Sequence, residues 1–415
     1  MASLKEIRYP VLKKAIDAIT IIDDHAHLGL VEYYETFPVE KRIAFVTDVF
    51  KTPQECCYGW DYLKELHYEA YEKFYGFTRS ELDDPSKREA LAAAYAKKRE
   101  NISGFLDVVM EAANVELVLT NMRMPKSLEG KKNIKLIPWL DCLILPFNND
   151  HLKERVLGSW YVRCNEYELQ LLMEKYRFQL SGFQEYLAFV DQVVADYIQS
   201  GCPGLKFLLA TQRTTVFRKV SESEGPALYE QAKNGNVASY TALQDLLVWH
   251  IMRKAVELDV PVQFHCAVLD NTVDYYDAYN LKNFIDDPEL QKAKIVILHG
   301  SYPSFDHANN LATAGLAPNN VYIDISGRIM FGNHPQNIAK MLRNWLDKPM
   351  LWDKILYGSD ALFGERYVYT CAKTGRDGIY LALAGMLEDG MISEETAISI
   401  ANRILRENSR KLYKL

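Results

Sequence analysis

The sequence predicts an α/β protein, a (β/α)8 TIM barrel with helical insertions that cap the C-terminal rim. Three observations support this: short apolar runs rich in Val and Ile recur along the chain, helix-like segments separate them, and a polar residue ends most of them. Apolar residues on both faces are typical of parallel strands covered on both sides. The eight runs are AITIID (18–23), VELVLT (115–120), WLDCLIL (139–145), GLKFLL (204–209), VPVQFH (260–265), KIVILH (294–299), VYIDIS (321–326) and KILYGSD (354–360).

The spacing of the later runs fits a barrel. His265 and His299 are 34 residues apart, and the next two intervals, which end at Asp324 and Asp360, are 25 and 36 residues. One βα unit of a (β/α)8 barrel takes about 30 residues. Active sites of such barrels lie at the C-terminal ends of the strands, where these polar residues fall.

The remaining length lies in two segments that are aromatic-rich and helical in pattern. These insertions are residues 31–114 and 146–200. Both leave from the rim side, so we expect them to cover the site and the chain 1–415 to be a single barrel domain. The last segment predicts a closing helix, because Ser393 suits the N-cap and Ile400, Ile404 and Leu405 share one helical face.

The composition is that of an ordinary globular protein. Of 415 residues, 48% are hydrophobic and 25% are charged, so a large core is feasible. The formal net charge of −7 gives no electrostatic reason to expect nucleic acid or an anionic membrane as a partner. We see no signal-peptide h-region or membrane span, and the seven scattered cysteines without CxxC spacing favour reduced thiols. A cytoplasmic location is expected.

The stretch IIDDHAHLGL, residues 21–30, carries two histidines one residue apart at the end of the first run. His25 and His27 have the spacing of a strand, so both side chains should project from the same face. Imidazole nitrogens bind zinc and other divalent transition metals. The pair alone could equally be a surface cluster. The residues that end the later runs distinguish these two interpretations.

The other strand ends favour a metal site. His265 ends the fifth run, His299 the sixth and Asp360 the eighth, so four of the nine histidines fall at predicted strand ends. Polar groups gathered at one rim need partners, and a metal would satisfy several of them together. For the remaining histidines, in helices or loops, we expect solvent or a hydrogen-bond partner: His67, His151, His250, His307 and His334.

These motifs, in this order, resemble the amidohydrolase superfamily: HxH after strand one, His after strand five, HG after strand six and GSD at strand eight. More narrowly, residues 180–415 resemble the amidohydrolase-related (amidohydrolase 2) branch of metal-dependent hydrolases and decarboxylases. The supporting stretches are GLKFLLA, VPVQFHCAVLDN, KIVILHGSYP, NNVYIDISG, ILYGSDALFG and NRILRENSRKLYKL. The chain is also similar to the amidohydrolase domain of glutamine-synthetase-fused proteins.

The resemblance implies that His25, His27, His265 and Asp360 bind a divalent metal. It implies that His299 is either a ligand of a second metal or a hydrogen-bonding electrophile beside the reacting group. Zinc is the first expectation and manganese is compatible with the same ligands; one ion or two would fit.

The implied chemistry is physically consistent. A metal with an open coordination position lowers the pKa of the water it binds to about 7. Asp360 could take the proton of that water and return it to the leaving group. His299 could stabilise negative charge that develops on the substrate oxygen.

Lys206 has two interpretations. It interrupts the apolar run GLKFLLA, where a lysine is costly unless it is paired. Some binuclear members of the superfamily carry a carboxylated lysine on strand four as a bridging metal ligand. The alternative is a lysine paired inside the barrel, with Asp141 of WLDCLIL as the candidate partner.

Three further residues are candidates for supporting roles. Arg328, after run seven, and Arg213, after run four, could each clamp a substrate carboxylate, or each could be a solvated loop arginine. Relatives tend to have a tyrosine before the second of these, where this chain has Gln212. Asp24, next to the HxH pair, is expected to orient its imidazoles or to bind backbone amides.

We therefore predict a metal-dependent hydrolase that acts on a C–N amide-type or ester bond of a small molecule. A non-oxidative decarboxylase of the same branch is the alternative, because it would use the same ligands. A catalytically silent barrel that serves as a binding module is the third, and homo-oligomers are compatible with each. An α/β-hydrolase or Rossmann enzyme is disfavoured, since the chain has no GxSxG and no GxGxxG after the first strand.

Overall fold

The structure, a computed structural model, describes residue 4 and residues 6–30, 50–56, 59–154, 158–314, 319–362 and 364–415. Its strands are β1 Ile21–Ala26, β2 Val115–Met122, β3 Ile134–Pro138, β4 Leu205–Phe207, β5 Pro261–His265, β6 Lys294–Leu298, β7 Val321–Asp324 and β8 Ile355–Leu356. Within the same residues, the α-helices are α1 Pro10–Ala18, α2 Pro53–Cys56, α3 Asp61–Tyr75, α4 Arg79–Leu82, α5 Arg88–Arg99, α6 Ile102–Ala113, α7 Asp141–Ile144, α8 Gly158–Tyr176, α9 Phe183–Gln199, α10 Gly225–Lys233, α11 Val237–Glu257, α12 Lys282–Asp286, α13 Phe305–Thr313, α14 Arg328–Phe331, α15 Pro335–Leu346, α16 Arg366–Glu388, α17 Glu394–Asn402 and α18 Asn408–Tyr413. None of these helices combines the length and apolar character that crossing a membrane requires.

The chain divides into two compact units, which we describe separately. Unit 1 consists of Met1–Leu136 and Asp324–Leu415, and unit 2 consists of Ile137–Ile323. The organisation of residues 1–415 as a single domain stays a prediction.

In unit 1, β1 has a neighbour on each side. On one side it pairs with β2, with Ile22 opposite Leu117. On the other side it meets the segment that follows β8, where the Asp360 N–H donates to the His25 carbonyl oxygen over 2.7 Å. All six residues of β1 are buried, including its polar ones. The strand therefore delivers charged groups into the interior, where each needs a partner.

The helical insertion of unit 1 packs against the long helix α16. The Tyr62 hydroxyl of α3 donates to Asp377 Oδ2 over 2.7 Å, which fixes one end of the insertion. Helix α6 begins at Asn101, whose side chain accepts from the Gly104 N–H, and it ends at Asn114 in the left-handed conformation. Both are residues that favour these cap positions.

In unit 2, strands β4, β5, β6 and β7 pair in parallel in that order. Helix α11 begins at Asn236, whose side chain accepts from the Ser239 N–H. Its Trp249 packs edge-on against Phe284, which in turn contacts Phe264 of β5. Burial of these aromatic side chains holds the helix on the sheet.

The predicted fold class is confirmed, and the helical character of both insertions is confirmed within the described residues. Parallel strands in sequential order, separated by helices, are the pattern of a (β/α)8 fold. Residues 31–49 of the first insertion lie outside the described residues. The closing helix is also confirmed: Ser393 accepts from the Thr396 N–H, and Ile400, Ile404 and Leu405 are fully buried.

The prediction for the third strand is wrong. The strand is Ile134–Pro138, and Asp141–Ile144, in the middle of the predicted run, is a short helix. A short run that is apolar on all faces does not distinguish a buried strand from a buried helix. The Asp141 carboxylate accepts from the Leu208 N–H at 3.0 and 3.1 Å, so this helix is tied to the end of β4.

Candidate metal centre

Three predicted ligands meet in unit 1. His25 Nε2 lies 3.2 Å and His27 Nε2 lies 3.1 Å from the same oxygen, Asp360 Oδ1. The two imidazole rings are edge to face with centroids 5.1 Å apart. His25 is fully buried, whereas the side chains of His27 and Asp360 are 11% and 15% exposed. Asp360 Oδ1 therefore lies close to a nitrogen of both imidazoles, and solvent reaches part of His27 and of Asp360.

Asp360 reaches this position through an uncommon backbone conformation. Its φ angle is 53°, in the left-handed region that few residues other than glycine adopt. The hydrogen bond from its N–H to the His25 carbonyl holds the loop after β8 against β1. Outliers of this kind persist where the surrounding structure fixes them, as at functional sites.

The GSD motif explains how β8 supports the first strand. An added Cβ at Gly358 would lie 2.5 Å from Asp324 Oδ2 and 2.9 Å from Asp24 Oδ1, so only glycine fits between these carboxyl groups. The next residue, Ser359, donates its N–H to Asp23 Oδ1 over 2.8 Å. Glycine and serine thus place the aspartate of the motif beside the histidines.

Asp24 lies beside a tyrosine hydroxyl and a second carboxyl group. Its Oδ2 accepts from the Tyr413 hydroxyl over 3.3 Å, and its Oδ1 faces the carboxyl group of Asp324 across Gly358. Burial, together with the charge of Asp324, raises the pKa of Asp24. Asp23 binds backbone amides, since its Oδ1 also accepts from the His25 N–H over 3.3 Å. Burial raises the pKa of Asp23 to about 7.

A buried ion pair that the sequence did not point to lies next to His27. Arg99, the last residue of α5, donates through Nε and Nη2 to Glu365, with distances of 3.1 Å to the two carboxylate oxygens. The two side chains are 8% and 2% exposed. Both line a cavity of about 10 Å³ together with His27 and Gly364. The insertion of unit 1 therefore reaches the carboxyl ends of β1 and β8.

The histidines predicted in unit 2 contact each other. His299 Nε2 lies 3.0 Å from His265 Nδ1, and His265 Nε2 lies 3.0 Å from the Ala267 carbonyl oxygen. Both imidazoles are buried, and His299 has a φ angle of 60°. Because each ring nitrogen of His265 has a hydrogen-bonding neighbour, it could bind a metal only by exchanging one of them.

Lys206 is buried in β4, and its backbone bridges to Trp139. Asp141 accepts from the Tyr161 hydroxyl over 2.9 Å and from the Leu208 N–H. Burial raises the pKa of Asp141 to about 7, and the positive charge of Lys206 acts in the opposite direction. This electrostatic interaction is the one that the pairing interpretation of Lys206 requires.

The two candidate arginines differ. Arg213 is neither a solvated residue nor a ready clamp, because its guanidinium is buried and donates to Gln244 Oε1 over 2.9 Å and to the Asp245 carboxylate. A fork whose donors are bound to the protein has little left for a ligand. Arg328 is exposed on the short helix α14.

Three other histidines have the expected partners. His250 lies 2.8 Å from Asp191, His307 lies 2.8 Å from Asp277, and His334 caps α15 by accepting from the Gln336 N–H. His67 differs, since it is fully buried in α3 and burial lowers its pKa, which keeps it neutral.

Comparisons with known proteins find one family model and several solved structures that are similar to the chain. The amidohydrolase family model matches residues 234–415, which is less than half of the chain. None of the curated proteins matches it. Among solved structures, the chain is similar to a "putative metal-dependent hydrolase" from Lactobacillus casei, with 18% identity, 97% of each chain covered and a TM-score of 0.61.

Two further solved structures are similar over nearly the whole chain. One is uronate isomerase from Thermotoga maritima, with 14% identity, 97% and 96% coverage of this chain and that chain, and a TM-score of 0.67. The other is glucuronate isomerase from Caulobacter crescentus, with 12% identity, 97% and 93% coverage, and a TM-score of 0.66. At these identities the likeness shows the fold. Together with the family-model match it supports the amidohydrolase superfamily, but not a special relation to glutamine-synthetase-fused proteins.

Proposed function

We propose that the protein is a metal-dependent hydrolase of the amidohydrolase superfamily that uses a metal-activated water on a C–N amide-type or ester bond of a small molecule. The observation that supports this most strongly is the approach of His25 Nε2 and His27 Nε2 to Asp360 Oδ1. Three protein ligands and an open position are the arrangement of catalytic zinc sites. Two imidazoles and a carboxylate also have the donor chemistry that zinc and manganese accept.

Each residue of the proposed site would have its own role in the reaction. A divalent metal, when bound, would make a water acidic enough to react at neutral pH. Asp360, whose Oδ1 faces both histidines, would hold the proton on its carboxylate and pass it to the leaving group. His265 as a further ligand, and His299 as the residue that stabilises negative charge on the substrate, complete the proposal. One ion needs no contribution from Lys206, whereas two ions would need it carboxylated.

A decarboxylase remains the alternative, because it would use the same ligands. Two of the similar solved structures are isomerases, so proteins of this fold are also named for reactions other than hydrolysis. We therefore propose the hydrolase because of the ligand chemistry. The proposal includes zinc as the metal, a small-molecule substrate and a cytoplasmic location.

Metal content and a substrate panel test the proposal. We expect about one ion per chain by mass spectrometry in the native protein and none in a His25→Ala, His27→Ala variant. A His250→Ala, His307→Ala variant is the matched control, since both histidines pair with surface aspartates and should leave the metal in place. The loaded protein should hydrolyse a member of an amide, lactone and ester panel. Release of CO2 from a hydroxybenzoate-type acid would favour the decarboxylase, and no metal after reconstitution would overturn both.

A further inference from the structure

The loop after β8 connects the predicted metal ligands to the helical insertion of unit 1. It covers residues 360–365, of which residue 363 lies outside the described residues. Its beginning is tied to the end of the first strand. The Asp360 N–H donates to the His25 carbonyl oxygen over 2.7 Å, and the His27 N–H donates to the Ala361 carbonyl oxygen over 3.3 Å. The position of this loop therefore decides where the Asp360 carboxylate lies relative to the two imidazoles.

Helix α5 of the insertion contacts the other end of the loop. Arg99 donates through Nε and Nη2 to the two carboxylate oxygens of Glu365, each at 3.1 Å, and both side chains are buried. An added Cβ at Gly364 would overlap the hydroxyl oxygen of Tyr95 on the same helix, so the two segments are in close contact. That hydroxyl also accepts from Arg366 Nη1 over 3.2 Å. The helix thus holds three consecutive residues where the loop joins α16.

The burial of this ion pair is better explained by geometry than by stability. Two charges lose their hydration when they are buried, so replacing such a pair by apolar residues is often neutral or stabilising. A guanidinium that donates two hydrogen bonds to one carboxylate, in contrast, fixes both the distance and the direction between the groups. Arg99 and Glu365 also line one small cavity with His27, so the fixed geometry lies next to a predicted metal ligand.

We infer that Arg99 and Glu365 are positioning residues of the metal centre, through which helix α5 holds the loop after β8 in its metal-binding arrangement. Neither residue is assigned as a metal ligand, since both act through Asp360 and His27. The inference rests on the metal site of the proposed function. It also predicts a linkage: if docking of α5 favours metal binding, metal binding must favour docking of α5 to the same extent.

The zinc affinity of a double variant, Arg99→Met with Glu365→Leu, tests this directly. The variant removes both charges together, so it leaves no unpaired buried charge and should fold. Competition with a chromophoric chelator measures the dissociation constant of zinc without requiring turnover. We expect that constant to rise by about 10- to 100-fold, the effect of losing groups that orient metal ligands. Arg99→Lys, which keeps the charge and loses the fork, should give an intermediate value.

The matched control is a second ion pair of unit 1 with the same hydrogen-bonding pattern. Arg406, between α17 and α18, donates through Nε and Nη2 to the two oxygens of Glu116 on β2, each at 2.9 Å. The variant Arg406→Met with Glu116→Leu should leave the zinc affinity unchanged. Thermal unfolding of the metal-free proteins completes the comparison, because the two double variants should differ in zinc affinity and not in their order of Tm change.

Amide hydrogen exchange of α5, Arg88–Arg99, supplies a readout that a merely structural ion pair would not change. In the wild type, zinc should slow exchange in this helix, as the linkage requires. Zinc should have the same effect in the Arg406 control. In the double variant of Arg99 and Glu365, zinc should leave the exchange of α5 unchanged.

Equal zinc affinity in the wild type and the Arg99, Glu365 double variant would overturn the inference, as would an equal loss of affinity in the control. If the double variant does not fold, Arg99→Lys and the exchange experiment decide. Wild-type affinity in Arg99→Lys, together with exchange in wild-type α5 that does not respond to zinc, would also overturn it. The failure of the proposed function is distinguishable, because the wild type would then bind no zinc at all.

Discussion

The histidines of the two units are arranged differently. In unit 1, His25 and His27 both face the carboxylate of Asp360, with nitrogen–oxygen distances of 3.2 and 3.1 Å. In unit 2, His299 Nε2 faces another imidazole, at 3.0 Å from His265 Nδ1. The first arrangement places two imidazoles around one carboxylate oxygen, and the second places two imidazole nitrogens in contact with each other.

The difference assigns different chemistry to the two units. A carboxylate between two imidazoles has the charge to hold a divalent cation. A histidine pair has no such charge, but it can donate a hydrogen bond to an oxygen on which charge develops. We therefore expect changes to His25, His27 or Asp360 to remove the metal, and a change to His299 to slow the reaction with the metal in place.

The largest expected effect is that of Asp360→Asn. The amide removes both the negative charge and the proton acceptor, so kcat/KM should fall by about 10³- to 10⁴-fold and metal content should drop. Kinetics on the best substrate of the panel and mass spectrometry would measure both. Asp277→Asn, at an aspartate paired with His307, is the control and should change neither. Full activity in Asp360→Asn would contradict the assignment.

His299→Gln should have a smaller effect of a different kind. We expect kcat to fall by about 10²- to 10³-fold, as for loss of one group that stabilises transition-state charge, while the metal stays bound. Metal content and kcat measured on one preparation would show whether kcat falls while the metal stays bound. If the metal is lost together with the activity, His299 is a ligand. His250→Gln controls for loss of any histidine.

Gly358→Ala tests the support under unit 1. Its Cβ would lie 2.5 Å from Asp324 Oδ2, so the free energy of unfolding should fall by about 1 to 3 kcal/mol. In the control, Gly385→Ala, the added Cβ meets only the end of the flexible Arg343 side chain, and the cost should be smaller. Urea denaturation measures the two. Equal stability of both variants would show that the carboxyl groups move aside freely.

A further expected effect is on the pH dependence of stability, through unit 2. Asp141 keeps its proton in the folded protein up to about pH 7, whereas it loses it near 3.8 when unfolded. Unfolding between these values releases a proton, so the stability of the wild type should fall as the pH rises from about 4 to about 7. Asp141→Asn should remove this part of the pH dependence. Denaturation curves of both proteins across that range measure it, and identical pH profiles would contradict the raised pKa.

The sequence predicted the features that depend on the hydrophobic period and on the position of a residue in its strand. Apolar runs that end in polar residues placed His25, His27 and Asp360 at strand ends, because strand geometry is local. It failed for Asp141–Ile144, where an all-apolar run fits a buried helix equally well. It also did not reveal the Arg99–Glu365 pair, since partners distant in the chain leave no periodic pattern in the sequence. The glycine of the GSD motif could be identified from the sequence. The reason that the position requires glycine, two carboxyl groups close to its backbone, could not.

Anomalous diffraction at the zinc edge, from crystals of the zinc-loaded protein, tests the central claim most directly. We predict one peak bonded to His25 Nε2, His27 Nε2 and Asp360 Oδ1 at about 2.0 to 2.2 Å. The same map would show whether His265 is a further ligand and whether a second ion involves Lys206. A peak bound by other residues, or no peak at those three atoms in a protein that hydrolyses its substrate, would contradict the account.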